Sequence, residues 1–245
     1  MAELYRYTLQ KEARSLYLSV HEKSAPTLEN GQKGELKFSG TWGIEKADFD
    51  AIVQIMVDAI KAELGSFGNP SDYFLACMSG KTAAKRVREA AAFKASKPGL
   101  NSDDVFKIKE KAEKRAALYE QFAGVLSASS KYDVSLAQMV AGKIVDIEGE
   151  HNIAKAGKDL FYPGSFTVPS IALKAFRRKT MDAKDGCTAY LQNCLFLRKG
   201  ERIAGGSGPA NNEVFGSFQG YSSVDPTAGA PDNASAGFSE GEDAF

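Results

Sequence analysis

Residues 162–203 read YPGSFTVPSIALKAFRRKTMDAKDGCTAYLQNCLFLRKGERI. Two runs rich in Val, Ile, Phe, Tyr and Thr, 162–180 and 186–203, flank a short stretch of small and charged residues. That pattern predicts two strands joined by a turn. Working upstream, GKIVDIEG (142–149), GELKFSGTWGI (34–44) and ARSLYLSV (13–20) read the same way, the last two separated by the Pro/Asn/Gly-rich APTLENGQKG.

Between the early and late strands lies a periodic helix. Phe49, Ile52, Val53, Met56, Val57, Ile60 and Leu64 fall on one face, Asp48 stands where a cap is expected, and Gly65 stops the run. Two further helices are predicted over 81–126, divided at Lys97, Pro98 and Gly99, with Val105, Ile108, Ala112, Ala116, Tyr119, Phe122 and Leu126 on the packed side of the second. They carry eleven bases and five acids between Lys81 and Arg115. Such a charge run commonly marks a solvated face, and a nucleic-acid or partner contact is the alternative.

Short strands around a helix, without βαβ alternation, favour a small barrel over a doubly wound sheet. The expected fold is therefore mostly β with α insertions (α+β): an OB-like five-stranded barrel with a helical insertion at about 81–126. From about residue 205 the chain turns to Gly, Ser, Ala, Asn and Pro without period, so 1–205 is expected to form the body and 206–245 a disordered tail. Isolated rings at Phe215, Phe218, Tyr221, Phe238 and Phe245 interrupt that tail.

The formal net charge of zero conceals a division along the chain. Residues 211–245 hold six acids and no Lys or Arg, leaving 31 bases against 25 acids in the rest, a balance of plus six. A basic body with an acidic tail suits a polyanionic partner. No apolar stretch approaches a membrane span, and the N-terminus lacks the pattern of a secretion signal, so a soluble, unprocessed protein without membrane contact is expected.

Catalytic patterns are weak. Gly80, Lys81 and Thr82 resemble the end of a phosphate-binding loop, but the glycine that loop requires five residues earlier is Leu75, so a helix cap is the better reading. Asp146, Glu148 and Glu150, beside His151, alternate as on one face of a strand, a row that reads either as a magnesium site for a nuclease or as the polar side of a half-exposed strand. Cys77, Cys187 and Cys194 form no CxxC, and with only His21 and His151 they make no zinc pattern, so reduced structural thiols are expected. No enzyme, cofactor or metal is expected.

Holding an unpaired polynucleotide takes cations for phosphates and flat rings on which bases stack, the stacking contributing about 1–3 kcal/mol per base. The strand regions interleave both. Lys37, Phe38 and Trp42 lie in one; Tyr162, Lys174, Phe176, Arg177, Arg178 and Lys179 in the next; Tyr190, Arg198, Lys199 and Arg202 in the last. Alternation sends roughly half inward, so Phe176 and Phe196 read equally as core or surface. Trp42, beside Gly43, reads as core or as a stacking platform.

FYPGSFTVPSIALKAF, a turn, and GCTAYLQNCLFLRKGERIAGG together resemble the most characteristic stretch of a family of bacteriophage single-stranded DNA-binding proteins, in which a "YPG" entry leads into an alternating strand, a small-residue turn and a strand of the type "aLnnvqflrdGerlgG". KFSGTWGIEKADFDAIVQIMVDAIKAELG is similar to that family's N-terminal part. The likeness covers about 110 residues; the charged segment 81–126 is longer than a bare OB-fold needs, and reads as a dimer element or a second DNA-contacting surface. The resemblance implies an OB-fold, sequence-tolerant binding of single-stranded DNA in replication or recombination, and a place in the cytoplasm of the infected bacterial host. The tip SEGEDAF looks like the acidic ends of replicative single-strand binders, which implies docking of Glu240, Glu242, Asp243 and Phe245 on a polymerase, helicase or nuclease. A strand-annealing mediator that forms large oligomers shares most of these features, and a homodimer is compatible with them.

Overall fold

The computed structural model describes residues 4–25, 33–178 and 184–203. In chain order the elements are β1 (Tyr5–Thr8), β2 (Ala13–Ser24), β3 (Lys37–Ile44), α1 (Lys46–Leu64), β4 (Phe74–Leu75) and β5 (Cys77–Ser79). There follow α2 (Gly80–Ala95), α3 (Ser102–Glu120), β6 (Gly124–Ser130), β7 (Ser135–Val140), β8 (Lys143–Asp146), α4 (Glu150–Asp159), β9 (Phe166–Phe176) and β10 (Gly186–Arg198).

Five strands close on themselves: β2 pairs with β3, β3 with β6, β6 with β10, β10 with β9, and β9 returns to β2. Only β6 and β10 run parallel within that ring. This is the expected five-stranded OB-like barrel, uneven in its closure. β2 meets β9 through Ala13↔Thr167 and Arg14↔Phe166, and β6 meets β10 through Tyr190↔Ser129 before β7 takes over alongside Asn193–Phe196. The short strands β1, β4, β5, β7 and β8 extend the ring into a ten-stranded sheet; β8 lies within the predicted run 142–149, and the other four were not legible as separate runs.

Alternation sorts the side chains. On β3 and β6, Trp42 and Leu126 face the interior, paired across the ladder, and Gly40 pairs with Ala128 beside them. Trp42 is wholly buried and its Nε1–H donates to Thr167 Oγ1 at 2.9 Å, while Ser15 and Thr167 share a hydroxyl contact at 3.1 Å. A ring of this size gains on the order of 3 kcal/mol from leaving water, and its one polar atom is satisfied. The interior position rules out the stacking role weighed for Trp42 above.

α1 lies against β9 and β5, with Ile52, Met56 and Ile60 in the core. Its N-cap is Glu45, which makes no side-chain cap bond, so Asp48 does not cap it. Asp48 is instead buried and accepts from the Tyr7 hydroxyl at 2.7 Å and from the backbone N–H of Gln10 and Lys11 at 2.9 and 3.1 Å, fastening the β1–β2 turn to the helix. Burial and that carboxylate together push the Tyr7 phenol up to about 12.

The charged insertion is a helical hairpin broken where the sequence predicts, between Ala95 and Ser102, but α3 ends at Glu120 rather than 126: Phe122 lies beyond the helix and Leu126, whose apolar spacing fits either period, belongs to β6. Ser79 caps α2 by accepting from Thr82 N–H at 3.2 Å, and Asn101 caps α3 by accepting from Asp104 N–H at 2.8 Å. Gly80, Lys81 and Thr82 therefore form a helix start. Ala83, Ala84, Ala116 and Tyr119 pack with Leu16 and Val125 in a second, smaller core. Cys77, Cys187 and Cys194 are buried free thiols, with Cys187 and Cys194 pushed up to about 12 by desolvation.

Candidate nucleic-acid interface

If Trp42, Gly40, Leu126 and Ala128 point inward, the residues between them point outward. They form a floor of small hydroxyls: Ser39 and Thr41 on β3, paired with Ser129 and Ser127 on β6, of which Ser127 is exposed, Ser39 and Ser129 are half-buried and Thr41 is buried between its neighbours. Tyr17 on β2 pairs with Thr41, and Tyr190 on β10 pairs with Ser129, so a half-exposed ring stands at each side of this floor. Their exposures, 43% and 44%, leave ring faces open to a ligand.

The same outward row continues along β10 and β9. Thr188 pairs with Lys174, and Gly186 pairs with both Phe176 on β9 and Phe74 on β4. A side chain at Gly186 would meet the Phe74 carbonyl oxygen at 2.1 Å, so glycine is what lets the three strands lie so close. Phe74 and Phe176 sit 6.2 Å apart at 51°, and with Tyr73, Arg86 and Lys184 they line a cleft of about 440 Å³. From Tyr190 to Gly186 is four residues, roughly 13 Å of strand at 3.3 Å each.

At the other end, Lys131 pairs with Glu35 at 2.5 Å and Lys37 with Glu35 at 3.4 Å. These lysines hold the Glu35 carboxyl below its usual range. Phe38 is half-buried with the Lys23 ammonium 5.2 Å over its ring, and Tyr132 nearby along the chain is 83% exposed.

The cations singled out in the sequence divide by what they already touch. Arg198 forks onto Glu12 and lies 3.5 Å over the Phe166 ring, depressing the Glu12 carboxyl. Arg202 sits 4.0 Å over Tyr162 and donates to the Lys158 carbonyl, while Tyr162 is buried and donates to the Gly200 carbonyl. Phe196 is also buried, in a tilted edge contact with Phe161. Tyr162 is therefore no stacking platform, and Arg198 and Arg202 anchor the end of the body. Lys199 is exposed.

Arg177 and Arg178 are exposed on the segment after β9. Arg177 donates to the Glu63 carbonyl, and the Arg178 backbone N–H to Asp185. Lys179 and the tail residues Glu240, Glu242, Asp243 and Phe245 lie outside the described residues. Tyr17, Lys131, Phe74, Arg86 and Lys184 were missed. For Tyr17 the signal was present, since strand parity set from a buried Trp42 turns it outward; for the others only tertiary pairing brings them together.

The carboxylates weighed as a magnesium site do not share a strand face. β8 ends at Asp146, Glu148 lies beyond it, Gly149 turns with φ 84°, and Glu150 opens α4. Among the described residues no three His, Cys, Asp or Glu side chains are gathered as for a metal ion, and no helix is long and apolar enough to cross a membrane.

A ring closed in the order β2–β3–β6–β10–β9 with an open polar face across β3 and β6 defines the class as an OB-like barrel. No protein-family model and no curated protein matches the chain. Among solved structures, the single-stranded DNA-binding protein from bacteriophage Enc34 in a C-terminally truncated form aligns with 82% of this chain and 88% of its own at 17% identity and TM-score 0.50. The same Enc34 protein in complex with single-stranded DNA aligns at 17% identity and TM-score 0.49, covering 82% and 89%. The bacteriophage T7 single-stranded DNA-binding protein gp2.5 aligns over 94% of this chain and all of its own at 10% identity and TM-score 0.43. The chain thus has the fold of a bacteriophage single-stranded DNA-binding protein.

Proposed function

We propose that this protein binds single-stranded DNA, with little regard to sequence, across the outer face of β3, β6, β10 and β9. The observation that carries the reading is one continuous outward row: Tyr17, the hydroxyl floor, Tyr190, Lys174 and the Phe74–Phe176 cleft. Rings accept any base by stacking, short hydroxyl side chains leave room for a strand to lie close, and Lys174, Arg177, Arg178 and Lys199 supply positive charge for phosphates. The Enc34 protein whose fold it shares is itself a single-stranded DNA-binding protein, which supports the reading. Residues 240–245 then serve as a recruiting tip for replication proteins, their carboxylates steering toward a basic pocket that takes the Phe245 ring. The role is protective and non-enzymatic, in replication or recombination.

The test is a titration of oligothymidine, a duplex of equal length and an RNA oligomer at several salt concentrations. Oligothymidine will bind more tightly than duplex, with affinity falling linearly on a log–log salt plot. Tyr190→Ala will weaken it about five- to hundredfold, the loss of one stacked base. No binding to oligothymidine at low salt, or equal binding to duplex, defeats the proposal.

A further inference from the structure

The cleft lined by Tyr73, Phe74, Phe176, Arg86 and Lys184 is built unlike the rest of the face. Elsewhere rings stand singly over a hydroxyl floor; here three aromatic side chains gather around a concavity of about 440 Å³, within the range of small-ligand sites. The Phe74 ring is half exposed at 49%, and Tyr73 is backed by Phe67, stacked at 4.9 Å and 18°. Arg86 reaches the cleft from α2, a separate layer from the strands that supply the two phenylalanines. Among the described residues Arg86 makes no ion pair, whereas its neighbour Arg88 is tied to Glu113 and Glu120. Lys184 is held in place by donating to the Ser71 carbonyl at 2.6 Å, which leaves two ammonium protons.

An apolar, ring-lined concavity with a planar guanidinium and an ammonium matches one chemical object: a nucleobase with its own phosphate. A base stacks on an aromatic wall, a guanidinium lies against a π-face or forks onto phosphate, and an ammonium answers phosphate as a point charge. We propose that this cleft takes one unpaired base out of a bound strand and so supplies much of the discrimination against duplex. A base in a duplex must first be unpaired and unstacked, at a cost of a few kcal/mol, before it can enter; a base in a single strand enters without that charge on its binding energy. The floor under Ser127 and Ser129 meets a strand's outer surface and has no such filter. The inference rests on the single-stranded DNA reading and assigns one subsite within it.

Oligothymidines carrying a single 2-aminopurine at successive positions test it on the full-length chain. Fluorescence of this base drops on stacking, so in the wild type positions lying on Tyr17 or Tyr190 will be quenched in part and the one position enclosed by the cleft rings will be quenched far beyond them. Phe74→Ala will abolish that quenching and cost about five- to hundredfold in affinity, and Arg86→Ala, changed on a different element, will weaken binding and reduce the salt slope by about one. Both will narrow the ratio of single-strand to duplex affinity, whereas Tyr190→Ala will leave the quenched position intact. Unchanged thermal midpoints will show that both variants fold. If the wild type binds oligothymidine but no position stands out, or if both variants keep wild-type affinity and selectivity, the cleft is not a base subsite. A wild type that ignores oligothymidine altogether defeats the broader reading and this one with it.

Discussion

Thr167 decides more than its size suggests. Its hydroxyl takes the hydrogen bond of the lone tryptophan and meets Ser15 in the barrel interior, so one oxygen ties β9 to β3 and β2. Thr167→Val keeps the shape and strands the Trp42 N–H without a partner, at a cost of about 1–3 kcal/mol. A lowered urea midpoint with unchanged slope will record it, and acrylamide will barely quench Trp42 emission in the wild type. Strong quenching there, or an unaltered midpoint in the variant, contradicts the interior placement. At this scale the sequence was an uneven guide. It marked Lys174 and Tyr190, both on the outward row, but left the directions of Phe176 and Trp42 open, because a strand's two faces look alike until one residue's neighbours are known. Tyr162 was hidden for another reason: it lies in the turn before β9 rather than in the strand predicted from 162, and its ring is covered by Arg202.

The elements show where local signals suffice. α1 and the α2–α3 hairpin were readable because helical period and the breaks at Gly65 and Pro98–Gly99 act within a few turns; the long strands were readable from composition. β4, β5, β6 and β7 were not, being two to seven residues long with identities set by partners far along the chain, whereas β8 falls inside the run 142–149 that reads as a strand. α4 was missed too, and its packing explains its composition. Gly157 faces His21 of β2, where an added Cβ would lie 2.0 Å from the imidazole ring, whose pKa burial lowers. Gly157→Ala gains about 1 kcal/mol of helix propensity and incurs about 1–3 kcal/mol of overpacking, so a net loss of stability is expected. Chemical denaturation will decide the sign, a stabilised variant showing that α4 yields readily.

For the whole molecule, charge is divided more sharply than any element boundary. Residues 211–245 carry six acids against a body of plus six, a contrast visible from composition alone. Removing 237–245 deletes Glu240, Glu242 and Asp243, all repulsive toward phosphate. The truncated chain is therefore expected to bind oligothymidine as tightly as the full chain or more so, while losing capture of replication proteins. Weaker DNA binding on truncation would contradict the assigned role.

The barrel's closure has a consequence of its own. β2 and β9 share two residue pairs, and β6 and β10 share one, at Tyr190↔Ser129, whereas β9 and β10 are laced along nearly their whole length. A hoop riveted so thinly at two joints is expected to open there first. One of those joints lies under the proposed path of the polynucleotide, so on that reading the cargo becomes a clasp: each strand taken up is expected to brace the wall that carries it, and a laden molecule to resist heat better than an empty one.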